Sequence, residues 1–553
     1  MGALATAPTK TARWPWVGLA LVLLLALALR AATAALPRVI RWDEPDYLWL
    51  GRSLWLGEGY TINGAPELHY TPLYALLAGG LWALVGDAEL ASSFWYVLLG
   101  ALTVAPVYAI AARLYGRRVG LTSALLAAVF PGLSSAILYW GTFTEPLFIL
   151  LIYGALWAAL VALEGEAWWR YALVGGLLTL AYLARPEGLL WLLAFAFLFV
   201  LIWAYRRRLW RWRTLLYLGA YLAACLIVAA PYLAYVHRHT GKWMATGKLG
   251  ITYDIGQAVL GGDEALYDQV TASLDEATGE ILWWSGRRFQ RSFVQVLADD
   301  PLAAGQRVWR NAQRAAALVL GGRVLPLFLL APMLLGWCRA PWDRRRMEHE
   351  AALWCAALPV LSFLLFHIEV RFFSPAFPAV LIWTAAGLAQ IGRWADETRA
   401  AWSRDTPPAA PLDGPLGRAV AWTLAAVLVA YFGLAGARTV QAGMASLNDA
   451  HKAAGLWLRE QTPPDAAVMS RDLAISIYAE RGFVVSPRTE YRQYLEYARR
   501  KGATYLVVDE RELTVLRPHL AFLLDDTDPP PELEPALSLR DRHGLTLIYR
   551  LKD

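Results

Sequence analysis

Carboxylates and arginines stand in four short strings of this chain, each where a long apolar run ends or begins. The sharpest is Arg41-Trp42-Asp43-Glu44-Pro45-Asp46-Tyr47. Pro45 suits the first turn of a helix and not its interior, which makes Asp43 the N-cap and puts Glu44 in the first turn. A carboxylate at a helix N-terminus is favoured in its ionised form. An ionised carboxylate at a bilayer surface can act as a general base. A capping Asp that does no chemistry gives the same string. Tyr47, Leu50, Leu54 and Trp55 then recur at helical spacing, with Arg52 and Glu58 on other faces. That pattern predicts an amphipathic helix at the membrane surface.

The second string, Trp140-Gly141-Thr142-Phe143-Thr144-Glu145-Pro146, sets Glu145 before a proline that can open the next helix. The third is Leu183-Ala184-Arg185-Pro186-Glu187-Gly188 and the fourth is Glu369-Val370-Arg371-Phe372-Phe373-Ser374-Pro375. A guanidinium fork fits phosphate oxygens, so Arg185 and Arg371 are candidates to hold a lipid-phosphate head group. A local ion pair, Arg185 with Glu187 or Arg371 with Glu369, accounts for either arginine equally well.

The elements that position these strings follow from composition. The 553 residues are 58% hydrophobic and only 17% charged, with a mean hydropathy of +0.38; a soluble chain carries more charge. Many of the 27 Trp and 25 Tyr sit at the ends of apolar runs, as at membrane interfaces. The net charge of +6 lies in short basic clusters between those runs, which marks topology and not nucleic-acid binding. Cys225, Cys338 and Cys355 lie in or beside apolar runs without ligand spacing, so neither a disulfide framework nor a zinc site is indicated. A spanning helix needs about 20 apolar residues. Eleven spans are expected, at 14–36, 89–114, 119–138, 146–163, 169–184, 189–205, 214–235, 315–338, 350–368, 375–392 and 418–438. Segment 71–86 is short and broken by Gly79 and Gly80, and reads as an interfacial or re-entrant helix.

With Lys10 and Arg13 in the cytoplasm, alternation puts every basic cluster between spans inside: Arg113–Arg118, Arg206–Arg213, Arg339–Arg346 and the Pro-rich linker 393–417. Loops 37–88 and 236–314, the turns carrying Glu145, Arg185 and Arg371, and everything after 438 fall outside. All four strings then share the outer side. Residues 439–553 alternate strand and helix patterns and read as a small extracytoplasmic α/β domain, separate from a transmembrane module spanning 1–438. That domain has no Gly-rich phosphate loop.

The order of these strings resembles the polytopic GT-C glycosyltransferases, in particular the dolichyl-phosphate-mannose protein mannosyltransferases and the lipid A aminoarabinose transferases. The resemblance covers most of 14–390. In that family an Asp-Glu pair follows the first span, as Asp43-Glu44 does, and an acidic residue before Pro follows the third, as Glu145-Pro146 does. His69-Tyr70-Thr71-Pro72 matches its interfacial segment, Arg185 a basic residue at the fifth span's outer end, and Arg371-Phe372-Phe373-Ser374-Pro375 a basic-aromatic turn. Two features depart from the pattern. Tyr70-Thr71 stands where the aminoarabinose enzymes have a charged pair, and 439–553 does not look like the sugar-binding repeats of eukaryotic protein mannosyltransferases. The resemblance implies inverting transfer of a sugar from a polyprenyl-phosphate donor to an acceptor hydroxyl on a protein, lipid or glycan. Asp43 is then the base, Glu44 or Glu145 positions the acceptor, and Arg185 and Arg371 hold the phosphate. Asp46, His69, Tyr70, Glu187 and Glu369 are further candidates for substrate binding. The family has metal-dependent and metal-independent members, so no metal is assigned and a divalent cation stays open. The rival class is a transporter or flippase of a lipid-linked or small anionic substrate.

Overall fold

The structure is a computed structural model and describes residues 14–141, 143–165, 167–286, 293–339, 341–402 and 414–552. Lys10 and Arg13, from which the expected topology starts, lie outside the described residues. So do 403–413 of the Pro-rich segment, with Arg404, Pro407, Pro408 and Pro411.

The first half is α1 (Trp14–Ala34), α2 (Glu44–Trp55), a two-stranded hairpin β1–β2 (Thr61–Ile62, Ala65–Pro66), α3 (Pro72–Val85), α4 (Ala88–Leu102) and α5 (Val104–Tyr115). Then come α6 (Arg117–Val129), α7 (Ser135–Trp140), α8 (Thr144–Glu164), α9 (Trp168–Ala184), α10 (Gly188–Tyr205) and α11 (Trp212–Thr240). Loop 236–314 holds α12 (Leu249–Gly261), α13 (Glu264–Ala272), α14 (Phe293–Asp299) and the start of α15 (Pro301–Leu320). After it run α16 (Leu330–Cys338), α17 (Arg344–Ala357), α18 (Phe377–Trp402) and α19 (Pro415–Met444). Among the described residues eight helices are long and apolar enough to cross a bilayer: 16–34, 88–115, 144–164, 188–205, 212–240, 344–365, 370–402 and 415–444. The chain is an integral membrane protein. Helices 144–164 and 370–402 are largely enclosed by the others, whereas 16–34 and 415–444 stand at the rim.

Three of the eleven expected spans are not among these eight. Segment 169–184 does form the expected helix, Trp168–Ala184, 17 residues long. Segment 315–338 divides into α15 and α16 around Gly321-Gly322, where Gly322 takes φ +68°. Segment 119–138 breaks at Phe130 (φ −61°, ψ 123°), because the residue before a proline, here Pro131, is driven out of the helical region. A broken helix leaves carbonyls that an apolar interior cannot hydrate. Arg30 supplies the donors: Nη1 reaches Ala128 O at 3.2 Å and Nη2 reaches Leu133 O at 2.6 Å. It is 1% exposed.

Segment 71–86 forms the short α3, as expected, and packs directly on α2. Gly51 and Gly79 permit the approach. A Cβ on Gly51 would sit 1.8 Å from Ala75 O, and one on Gly79 would sit 2.2 Å from Arg52 N.

Beyond α19, helices α20 (Asp449–Gln461), α21 (Leu473–Ala479) and α22 (Tyr491–Arg500) pack on a five-stranded sheet. Its strands are β3 (Ala467–Ser470), β4 (Gly482–Val485), β5 (Tyr505–Asp509), β6 (Leu533–Asp541) and β7 (Gly544–Leu551), in the order β4-β3-β5-β7-β6. β3 pairs in parallel with β4 and β5, while β7 runs antiparallel to β5 and β6. The sheet region docks on the segment before α3, on α4 and on α13 through Asn63 and Tyr497 (2.8 Å), Lys452 and Glu89 (2.7 Å), and a buried pair, Arg517 with Asp268 (3.0 Å).

Candidate active site

Asp43 occupies the N-cap position of α2, but its backbone is helical (φ −83°, ψ −10°) and its side chain makes no capping bond. The expectation of a capping carboxylate is therefore corrected. A helical ψ turns the side chain away from the amides a cap must reach, so the carboxylate is left for other partners. Tyr70 OH donates to Asp43 Oδ1 at 3.4 Å, and Asp43 Oδ2 lies 3.5 Å from Arg371 Nη1. Both contacts are long. The Asp43 side chain is 38% exposed and that of Arg371 19%. Glu369, at 37%, and Lys248, at 20%, are as exposed.

The two preceding turns are strained. Trp42 (φ 58°) and Phe143 (φ 59°) are bulky residues in the left-handed region, directly before Asp43 and before the first residue of α8. Such strain persists only where surroundings over-determine it. Here Glu44 N donates to Gly141 O at 2.8 Å, tying the two turns together. The Phe143 ring lies under the Arg38 guanidinium at 4.7 Å.

Glu44 is fully buried, and its carboxylate is engaged by Arg38, which also donates to Ser92 and Ser93 at 3.0 Å. It anchors α2 to α4. Asp46 lies beside Asp43 within reach of Tyr70. Burial, then Asp43 and Glu67, push its carboxyl well above the usual carboxylate range. His69 packs against Trp283 at 4.4 Å between centroids. Glu67, two residues before it and fully buried, accepts from Trp283 Nε1 (3.1 Å) and Trp284 Nε1 (2.9 Å).

Arg185 is held on three sides. Its Nη1 donates to Glu145 Oε1 at 2.7 Å and to Thr144 Oγ1 at 3.0 Å, and its Nε lies 3.5 Å from Glu187 Oε2. Burial alone would lower its pKa, but Glu145 and Glu187 outweigh it and raise it. Burial alone would raise Glu187, but Lys248 (Nζ to Oε1, 2.8 Å) and Arg185 hold it at about 2. Arg371 Nε donates to Glu369 Oε2 at 2.8 Å. Burial would raise Glu369 too, yet the hydrogen bond from His367 and the charge of Arg371 keep it at about 2. Both local pairs foreseen from the sequence thus exist, and Arg371 also reaches Asp43.

Asp43, Glu145, Arg185 and Arg371 act on one another electrostatically and form one cluster. Sequence reasoning missed Lys248 and Glu67, which no local pattern marks. It also missed His367, although His367, Glu369 and Arg371 alternate along the chain. Among the described residues no group of three or more His, Cys, Asp or Glu side chains could hold a metal ion.

Residues 69–235 match the family model described as dolichyl-phosphate-mannose-protein mannosyltransferase. Tyr70, Glu145 and Arg185 fall inside that match; Asp43 and Arg371 fall outside it. No curated protein matches the chain by sequence. The apo oligosaccharyltransferase of Archaeoglobus fulgidus superposes with a TM-score of 0.57 at 16% identity, covering 91% of this chain and 70% of that one. The same organism's oligosaccharyltransferase AglB, in complex with an inhibitory peptide and a dolichol-phosphate, gives 0.56 at 15%, covering 98% and 74%. ArnT from Cupriavidus metallidurans bound to undecaprenyl phosphate gives 0.52 at 12%, covering 97% and 98%. The chain has the fold of the GT-C glycosyltransferases, with the sequence pattern of one such family over 69–235.

Proposed function

We propose that this chain transfers a sugar from a polyprenyl-phosphate donor to an acceptor hydroxyl, with inversion at the anomeric carbon, on the extracytoplasmic side of the membrane. One observation carries the reading. A partly exposed carboxylate, Asp43, faces a partly exposed guanidinium, Arg371, under the Tyr70 hydroxyl. The structural neighbours in complex with a dolichol-phosphate and bound to undecaprenyl phosphate support the choice of donor class.

In this reading Asp43 takes the acceptor hydroxyl proton. The acceptor oxygen bonds to the anomeric carbon as the sugar–phosphate bond breaks on the opposite face, and the phosphate leaves with the electron pair. Arg371 meets the charge that develops on the phosphate. Arg185, fixed by Glu145 and Glu187, holds the heads of α8 and α10 in place behind it. Glu44 serves as an anchor and Glu145 as a positioning residue. Residues 1–438 form the transferase module and 439–553 an outer domain covering loops 37–88 and 236–314. The basic ends of the helices then lie in the cytoplasm, with the N-terminus.

The test uses purified protein in detergent with a panel of polyprenyl-phosphate sugars and hydroxyl acceptors. The expected result is equimolar release of polyprenyl phosphate and a product of opposite anomeric configuration. Retained configuration would overturn the single displacement. Donor moved intact across a vesicle, with no product, would favour a flippase. A cysteine placed at Thr527 should react with an impermeant maleimide added outside cells; protection there would invert the orientation.

A further inference from the structure

The far ends of the helices that carry the site hold a second charged cluster that this function does not use. α8 begins at the Glu145 turn and ends at Glu164. α10 begins after Glu187 and ends just before Arg206. A helix of 21 residues spans about 30 Å, so the second cluster lies a bilayer's hydrocarbon thickness from Asp43.

There Glu164, Arg206, Arg344, Arg345, Glu348 and His349 line a cavity of about 390 Å³, within the range of small-molecule sites, roughly 300–1,000 Å³. Glu164 accepts from Arg113 Nε at 3.2 Å and Arg345 Nη2 at 2.9 Å. Glu348 accepts from Arg206 Nε at 2.8 Å and lies 3.5 Å from Arg344 Nε. Among the described residues four guanidinium groups therefore share two carboxylates, leaving two positive charges in excess. The side chains of Arg344 and Arg345 are 54% and 68% exposed, so their remaining N–H donors point to a reachable opening. The apolar wall beside it is Leu163. Arg344 lies over the Tyr205 ring at 4.9 Å, and Tyr205, Trp168, Trp169 and Trp210 are all more than half exposed. Exposed Tyr and Trp at the ends of apolar helices mark the head-group level of a bilayer.

The geometry points to a binding site here for the phosphate head group of an anionic phospholipid. Basic pockets between helices at a membrane surface take such head groups by charge and by guanidinium hydrogen bonds. Depth selects a lipid over a soluble anion, because the cavity opens where acyl chains meet water. The inference stands apart from sugar transfer and survives its failure.

The test is native mass spectrometry and thermal unfolding of the full chain in detergent. Phosphatidylglycerol, phosphatidylcholine and inorganic phosphate are titrated separately. Phosphatidylglycerol should bind and raise the melting temperature, phosphatidylcholine should not, and the double variant Arg344→Ala/Arg345→Ala should weaken the phosphatidylglycerol effect at least tenfold while basal transfer continues. Arg345→Glu serves should the double variant fold poorly, since its side chain is mostly exposed. Equal phosphatidylglycerol binding by folded variant and wild type would overturn the site. Inorganic phosphate matching the lipid at equal concentration would overturn the lipid as occupant.

Discussion

Two arginines that look alike in the sequence are held differently. Each lies between two carboxylates, but those of Arg185, Glu145 and Glu187, are largely buried, whereas those of Arg371, Glu369 and Asp43, are 37% and 38% exposed. Arg371→Ala should therefore fold and lose donor binding, by the roughly 1.5–3 kcal/mol of a charged hydrogen bond. Arg185→Ala should instead destabilise the protein by about 3–5 kcal/mol, because it removes the guanidinium that pairs with the buried Glu145. Thermal stability and donor KM measured together separate the two. An Arg371→Ala variant with wild-type donor KM would remove the phosphate role. The sequence exposed both arginines and both carboxylate neighbours. It gave no sign that Arg185 pairs with Glu145, 40 residues away, or that Lys248 completes Glu187, because such pairs are set by packing and not by spacing.

At the scale of elements, the periodicity around Tyr47 and the proline-opened helices appear where the chain predicts them. The broken spans do not, since hydropathy averages over a kink. Pro131 in an apolar run was the available sign, and Arg30 its companion: a buried arginine in the first span, bonded to carbonyls of the broken segment. Arg30→Met should leave Ala128 O and Leu133 O without these donors at about 1–3 kcal/mol each, lowering the melting temperature. A variant melting with wild type would show that the arginine does not close the break. In the sheet region, His451 Nδ1 lies 3.0 Å from Asp472 and Nε2 3.4 Å from Asp509. Burial opposes its charge, but the two carboxylates raise its pKa to about 10. Its stabilisation is then complete below the unfolded value near 6.5 and fades as pH rises through about 10. His451→Gln should flatten the fall in melting temperature between these values; an unchanged slope would contradict the pairing.

Over the whole molecule, the candidate site is gathered from segments hundreds of residues apart: the α2 turn, the segment before α3, the heads of α8 and α10, and the turn before α18. The alternation of basic clusters placed these strings on one side before any contact was known, which made a shared site legible. What alternation could not show is which carboxylate stays reachable. The structure buries Glu44 against Arg38 and Glu145 against Arg185, and leaves Asp43 open beneath Tyr70. Four of the five strands of the β4-β3-β5-β7-β6 sheet were legible. Strands β3, β4, β5 and β7 carry apolar runs, while β6 is polar along its exposed face and escaped notice. The central claim rests on Asp43, and its most direct test is Asp43→Asn. Since the side chain caps nothing, the amide should leave the melting temperature near wild type. It cannot accept the acceptor's proton, and positioned bases contribute about 10²–10⁴-fold to rate. Sugar transfer from a polyprenyl-phosphate donor should therefore fall by at least 100-fold at unchanged stability; wild-type transfer by the folded Asp43→Asn protein would contradict the account.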